Sequence, residues 1–220
     1  MTDAKQAVLS QTLSRGLTAL EVLADAEAPL TIAELSERLG LHRSITYRIV
    51  RTLEDHGLVV RGGSGVLELG ARLAALARNV SRDLQAAALP ELTLLANELG
   101  MTAFVATIDG DYEEAVTLAS VEPRHATAAV AQRPGSRHPI GHGAPGRAIR
   151  SQLRRGTSAA RYETSHDEVI TGLSSIAVPL AVPGQHPASV AVVYLTQSLD
   201  VEAIAARLEK AAAAIRDELS

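Results

Sequence analysis

The sequence predicts an α+β chain: a small helical domain closed by a β-hairpin, a connecting helix, and an antiparallel-sheet domain flanked by helices. Three observations carry this. Residues 31 to 56 hold two amphipathic helical stretches split by Gly40, followed by two short apolar runs around Gly-Gly-Ser-Gly. Residues 71 to 89 keep one apolar seam at helical spacing. From residue 101 the apolar pattern breaks into strand-length runs separated by Asp-Gly-Asp and Pro-Gly. The boundaries that follow are 1–70, 71–89 and 90–220.

In order, residues 12 to 25 read as a core helix with Leu13, Leu17, Leu20 and Ala24 as its stripe, ended by Ala28-Pro29. Thr31 opens the next helix. Glu34 stands three residues on, so the pair can form a capping box that satisfies two orphan amides. Ile32, Leu35 and Leu39 form its buried stripe, and Gly40 stops it by taking the left-handed conformation. A second helix starts near His42, with Ile45, Ile49 and Leu53 as its buried side.

The other side of that helix carries the functional signal. At about 100° per residue, Arg43, Ser44, Tyr47, Arg48 and Arg51 share one face, and no carboxylate interrupts it before Glu54 and Asp55. A lone basic helix is usually a solvated surface. A turn before it and a hairpin after it, LVV-Arg61-GGSG-VLEL, instead make it the recognition helix of a winged helix-turn-helix, facing a DNA groove. Arg43, Ser44, Tyr47 and Arg48 are the candidates for base edges, and Thr31, Arg51 and Arg61 for phosphate, with His42 and Thr46 completing the set. The Gly-Gly-Ser-Gly stretch lacks the Gly-Lys-Ser/Thr ending of a phosphate loop.

Net charge is −4, and residues 1 to 70 are themselves acidic on balance, so the basic charge is local to one helix face and the wing. A dimer, doubling a modest phosphate footprint, suits such a protein. The absence of cysteine excludes disulfides, thiolate metal sites and cysteine catalysis. No apolar run is long enough to span a bilayer and the start lacks the pattern of a signal peptide, so a cytoplasmic protein without a membrane partner is expected.

Residues 71 to 89 place Leu73, Leu76, Val80 and Leu84 on one seam, as in a connecting helix that pairs with a second copy or packs in a core. Pro90 is expected to end it before a short helix, ELTLLANEL. MTAFVATI and YEEAVTLASVE then read as a hairpin over Asp109-Gly110-Asp111, and ATAAVAQ as a third strand. SSIAVPLAV and ASVAVVYL are two further strands. A last helix covers roughly 200 to 218, with the helices expected on one face of the sheet. The loop RPGSRHPIGHGAPGRAI runs into a helix; its glycines 141, 143 and 146 let backbone amides approach a ligand, and the helix start favours an anion. Ser174 and Ser175 enter the strand expected to face it.

These stretches together resemble the IclR family of transcriptional regulators over nearly all of the chain. The N-terminal likeness runs from Leu13-Ser14-Arg15-Gly16-Leu17 through LTIAELSERLGLHRSITYRIVRTLEDHGLV, and the C-terminal likeness lies in GSRHPIGHGAPGRAI, DEVITGLSSIAVPLAVPG and ASVAVVYL. The resemblance implies a GAF-like second domain that binds a small metabolite, often a carboxylate or aromatic acid, palindromic double-stranded DNA as partner, and a homodimer or tetramer. It places effector contacts at Ala144, Pro145, Leu173 and Ser175, with Ser165 at the rim; Gly141, His142, Gly143 and Phe104 complete the expected pocket. Departures from the family pattern are Gly141 ahead of His142, Pro145 without an amide to offer, and only RRGTSAA between Leu153 and Arg161, where the family carries a longer helical stretch.

A second domain that only oligomerises is the competing expectation. A hydrolase using His138, His142, His166 and Asp167 is not favoured, since no Gly-x-Ser-x-Gly elbow exists. His138 and His142 have a proline and a glycine between them and do not form a helical metal pair. No cofactor and no enzyme activity are expected.

Overall fold

Residues 10–108, 110, 113–125, 129–153 and 160–220 are described by the computed structural model. The chain divides into two units, Met1–Val80 and Ser81–Ser220.

In the first unit, local chemistry sets the helix ends. Ser10 caps α1 (Gln11–Ala24), and Thr31 caps α2 (Ile32–Leu39) with both halves of the capping box present. The Thr31 amide donates to Glu34 Oε2 at 2.7 Å, and the Glu34 amide donates back to Thr31 Oγ1 at 3.3 Å. The Thr31 amide, and the Thr31 hydroxyl donating to the same carboxylate oxygen at 2.8 Å, hold the Glu34 carboxyl below its ordinary range. Gly40, at φ 60°, closes α2. His42 caps α3 (Arg43–Asp55): its Nδ1 accepts from the Ser44 amide at 3.3 Å. Strands β1 (Val59–Arg61) and β2 (Leu67–Leu69) pair antiparallel, with Val59 opposite Leu69, and Leu67 also bridges to Leu30. The core joins Ala19 and Leu23 of α1, Ile32 and Leu35 of α2, Ile49, Val50 and Leu53 of α3, and Val59 and Leu67 of the hairpin.

Two expected stripes are rotated. On α1 the buried residues are Ala19 and Leu23, with Leu20 partly buried, while Leu13 and Leu17 are 62% and 53% exposed. On α3 the inward position is Thr46, not Ile45, because Ile49, Val50 and Leu53 point the helix inward along the line that passes through 46.

The connecting helix expected over 71 to 89 is two helices. Helix α4 (Arg72–Ala77) has no buried residue, and α5 (Arg82–Leu99) begins after Ser81, which is left-handed at φ 44°. Pro90 lies inside α5 and does not end it. Leu84 and Ala88 before the proline and Leu92, Leu95 and Ala96 after it are all buried on the sheet, so tertiary packing outweighs the lost amide.

The second unit is a six-stranded antiparallel sheet in the order β5-β4-β3-β8-β7-β6. The expected strands are β3 (Thr102–Ile108), β4 (Glu114–Val121), β7 (Leu173–Leu180) and β8 (Ala188–Leu195). The edges are β5 (Arg137–Pro139), inside the stretch read as loop, and β6 (Glu163–His166), in a stretch to which the sequence pattern assigned no element. Of ATAAVAQ, residues 129–132 are not strand, and the rest lies outside the described residues, as do Asp109 and Asp111 of the expected turn and residues 154–159 after Leu153.

Helices cover both faces of the sheet rather than one. Helices α5 and α7 (Val201–Glu218) pack Leu92, Leu95, Ile204, Leu208 and Ile215 against Val105, Ile176 and Val190. On the opposite face α6 (Gly143–Leu153) packs Ala144, Ala148 and Ile149 against Phe104, Ala106, Ala177 and Ala191. Alternate residues of each strand thus feed two cores, and the alanines on both sides let α6 lie close. Gly146 is required there: a Cβ would come 2.7 Å from the Ile140 carbonyl oxygen. No helix among the described residues is long and apolar enough to cross a membrane.

Candidate nucleic-acid interface and effector pocket

The outer face of α3 is open. Arg43, Ser44, Tyr47, Arg48 and Arg51 are all exposed, and neither Arg43 nor Arg48 has an ion pair among the described residues. Arg51 meets Asp55 one turn on at 3.8 Å, a solvent-screened pair that yields readily to a phosphate. His42 is also exposed, and its Nδ1 lies 2.9 Å from Ser44 Oγ, so the cap holds that hydroxyl at the start of the helix. Thr31 is half-buried and committed to its capping box.

Thr46 does not belong to this face. It is 0% exposed and its hydroxyl has no hydrogen-bond partner, so it is a core position. Arg61, expected on phosphate, reaches back from the wing. Its Nε donates to Glu54 Oε1 at 3.0 Å, and its guanidinium stands 6.0 Å from the centre of the Tyr47 ring. It therefore ties hairpin to helix and holds Tyr47 outward. The result is two unpaired guanidiniums, a phenol and a hydroxyl on one rod beside a two-stranded wing. That set can donate to base edges and phosphates along a groove.

In the second unit, a cavity of about 210 Å³ opens between α6, the sheet and the segment 168–173. Six of the expected residues line it: Phe104, Gly143, Pro145, Ser165, Leu173 and Ser175. Three do not. Ala144 is fully buried between α6 and the sheet, His142 is exposed with its amide on the Pro139 carbonyl at 2.9 Å, and Gly141 lies against Arg150. On the cavity side Ser165 Oγ lies 2.7 Å from Ser175 Oγ; the neighbouring Ser174, whose side chain alternates to the other face of the sheet, has its Oγ 3.0 Å from His166 Nδ1 and 2.9 Å from Thr196 Oγ1.

Sequence reasoning missed the charged group at the pocket's edge. The amide at the start of α6, expected to receive an anion, is already taken: Gly143 N–H donates to Glu168 Oε2 at 3.0 Å. Arg147 of α6 holds the same carboxylate oxygen, meets Glu163 Oε2 with Nε at 3.1 Å, and donates to the Thr164 carbonyl. The ion pair to Arg147, helped by the Gly143 amide, holds the Glu168 carboxyl below its ordinary range, while Glu168 in turn raises Arg147. Gly143 and Glu168 are 25 residues apart, so only a fold could bring them together. His138 also lines the cavity. Its Nε2 is buried without a hydrogen-bond partner, and burial, with repulsion from His142, lowers its pKa.

A linkage follows from the depressed Glu168. A carboxyl with a lowered folded pKa contributes stability above its unfolded pKa and loses it as pH falls through the folded value. Wild-type protein is therefore expected to lose thermal stability below the ordinary carboxylate range more steeply than Glu168→Gln. Parallel melting curves for the two proteins as pH is lowered check this; equal slopes contradict it.

The description "IclR helix-turn-helix domain" belongs to the family model that matches residues 12–63. The chain is 36% identical over 107 residues to the HTH-type transcriptional regulator Rv1719 of Mycobacterium tuberculosis, a match covering 48% of this chain and 41% of that protein. It is 32% identical over 118 residues to the transcriptional repressor IclR of Escherichia coli, covering 52% and 43%. The matched segment thus spans less than half the length of these relatives. Likeness in fold extends over nearly all of the chain. An IclR transcriptional regulator from Alicyclobacillus acidocaldarius superposes with a TM-score of 0.80 at 22% identity, covering 96% of this chain and 100% of that one. An IclR homolog from Microbacterium hydrocarbonoxydans, complexed with 4-hydroxybenzoate, superposes with a TM-score of 0.79 at 22% identity, covering 94% and 98%. Residues 12–63 thus carry an IclR-type helix-turn-helix domain, and the two units share their fold with solved IclR transcriptional regulators.

Proposed function

We propose that this regulator binds a palindromic operator through the outer face of α3 and the wing, and that a small molecule in the cavity of the second unit modulates that binding. The observation that carries the first half is the unpaired Arg43 and Arg48 on an exposed face whose opposite side is locked into a core. Arg43, Ser44, Tyr47 and Arg48 are assigned to base edges, Arg51 and His42 to the backbone, and Arg61 to positioning the wing.

A homodimer is part of the proposal. Leu13, Leu17, Leu76 and Val80 are large apolar side chains left in solvent within the first unit, which supports self-association there. The finer reading, an acid as effector, follows from the family resemblance and from the 4-hydroxybenzoate held by the Microbacterium homolog. An acid at Gly143 here has to displace Glu168. That observation favours a second reading, in which the domain oligomerises and senses no acid.

The test is to select fragments from genomic DNA with the purified protein. The expected result is recovery of sites with two half-sites about one helical turn apart, or a multiple of it. Recovery no different from that of bulk DNA contradicts the proposal.

A further inference from the structure

Among the described residues, the cavity's charges are already matched. Glu168 sits on Arg147 and the Gly143 amide, and Arg137, the other charged residue on its wall, is 3.7 Å from Glu114. The nitrogens of Arg147 are spoken for as well: Nε meets Glu163, one terminal nitrogen Glu168, the other the Thr164 carbonyl. A carboxylate entering the cavity therefore finds the helix-start amide occupied, the nearby guanidinium shared between two carboxylates, and a like charge on the wall. Burying a second anion beside Glu168 is costly, and the exposed Arg137 guanidinium, screened by solvent beside Glu114, offsets little of that cost.

What the cavity offers instead is apolar wall and uncharged hydrogen-bonding groups. Phe104, Val169, Ile170 and Leu173 supply the first; Ser175 and His138, whose Nε2 is buried and unpartnered, supply the second. The volume is about seven water-sized portions, the scale of one small ring.

We infer that Glu168 is a specificity-determining residue which stands in the place of an acid, so that the cavity takes a small uncharged ring bearing hydroxyl or amide groups and rejects the corresponding carboxylate. This rests on the reading of the cavity as an effector site. Glu168 reaches the amide from a segment bounded by left-handed Asp167 at φ 55° and Gly172 at φ 84°. Asp167 Oδ1 accepts from the Gly172 amide at 2.6 Å, so the segment closes on itself and presents Glu168 inward as a fixed group.

The experiment uses the full chain and a pair of probes that differ in charge and hardly in shape, 4-hydroxybenzamide and 4-hydroxybenzoate, titrated by calorimetry into wild type, Glu168→Gln and Glu168→Ala. Wild type is expected to bind the amide in preference to the acid. Glu168→Ala frees the Gly143 amide and one terminal nitrogen of Arg147, and its affinity for the acid is expected to rise about tenfold or more, the scale of a hydrogen bond to a charged group. Glu168→Gln keeps an acceptor on the Gly143 amide while removing the like charge, so it gains less. Melting curves without probe show that each variant is folded. Wild type binding the acid as well as the amide, or no gain in either variant, overturns the role of Glu168 and leaves the effector site standing. No binding of either probe by any of the three proteins counts against the cavity as an effector site, and this inference falls with it.

Discussion

Replacing Leu35 by alanine is expected to destabilise the first unit by about 2–5 kcal/mol, the range for deleting a fully buried leucine. Leu35 is 0% exposed and stands in the same core as Ala19, Ile49, Val50 and Val59. Its side chain joins α2 to the inward face of α3, so the cavity left behind sits where the two helices of the motif meet. A small unit has little stability in reserve, and a loss of this size is a large fraction of it. Urea unfolding of the full chain, followed by circular dichroism, should show an early transition absent from wild type. Operator affinity should fall with it, because the arginine face is oriented by this core. A midpoint unchanged from wild type means that α3 is not held by α2.

Gly70→Ala is the second large effect. The hairpin returns beside the end of α3, and a Cβ at Gly70 would lie 2.1 Å from the Gly57 carbonyl oxygen and 2.8 Å from the Gly57 carbonyl carbon. Both are backbone atoms, with no rotamer to relieve the clash. The Gly70 amide also donates to the Leu58 carbonyl at 2.8 Å, so moving the chain apart breaks a hydrogen bond. Overpacking usually costs about 1–3 kcal/mol and occasionally more; a contact this short belongs at the upper end. Since Arg61 ties the wing to Glu54 and Tyr47, the variant should also lose operator affinity. Gly63→Ala is the matched control, as nothing lies within 4 Å of a Cβ there.

The parts of the fold that were legible in the sequence are those fixed within a few residues. Thr31 and Glu34 are three apart, and Gly40 takes its φ of 60° whatever lies beyond. The exposed arginine face was legible for the same reason: residues 43, 47, 48 and 51 share a side on any helix. Choosing between Ile45 and Thr46 was not local. Apolarity favours Ile45, but Ile49, Val50 and Leu53 point inward together and carry Thr46 with them. Leu13 and Leu17 look like core in any periodicity count; whether such a stripe is covered depends on the surfaces that meet it. Pro90 ends helices by local rules, and here buried residues on both sides hold the helix through it.

The candidate pocket divides in the same way. Gly143 and Ser175 were legible from the glycine-rich loop and the strand facing it, Pro145 and Leu173 only through the family resemblance, and all four line the cavity. Glu168 and Arg147 did not stand out, since a carboxylate in Asp-Glu-Val-Ile has no local mark that distinguishes it from a solvated one. Its meaning comes from the Gly143 amide, which the fold sets beside it.

Arg43 and Arg48 are proposed to read DNA from the exposed side of α3. That role is tested most directly by titrating a genomic fragment selected by the wild-type protein with wild type, Arg48→Ala and the double variant Arg43→Ala/Arg48→Ala, at fixed salt. If Arg48 contacts a base, its loss is expected to weaken binding by about 1–3 kcal/mol, roughly fivefold to 150-fold in Kd, with a larger loss in the double variant. A double variant that binds the fragment as tightly as wild type, with its fold intact by circular dichroism, means that neither arginine reads DNA.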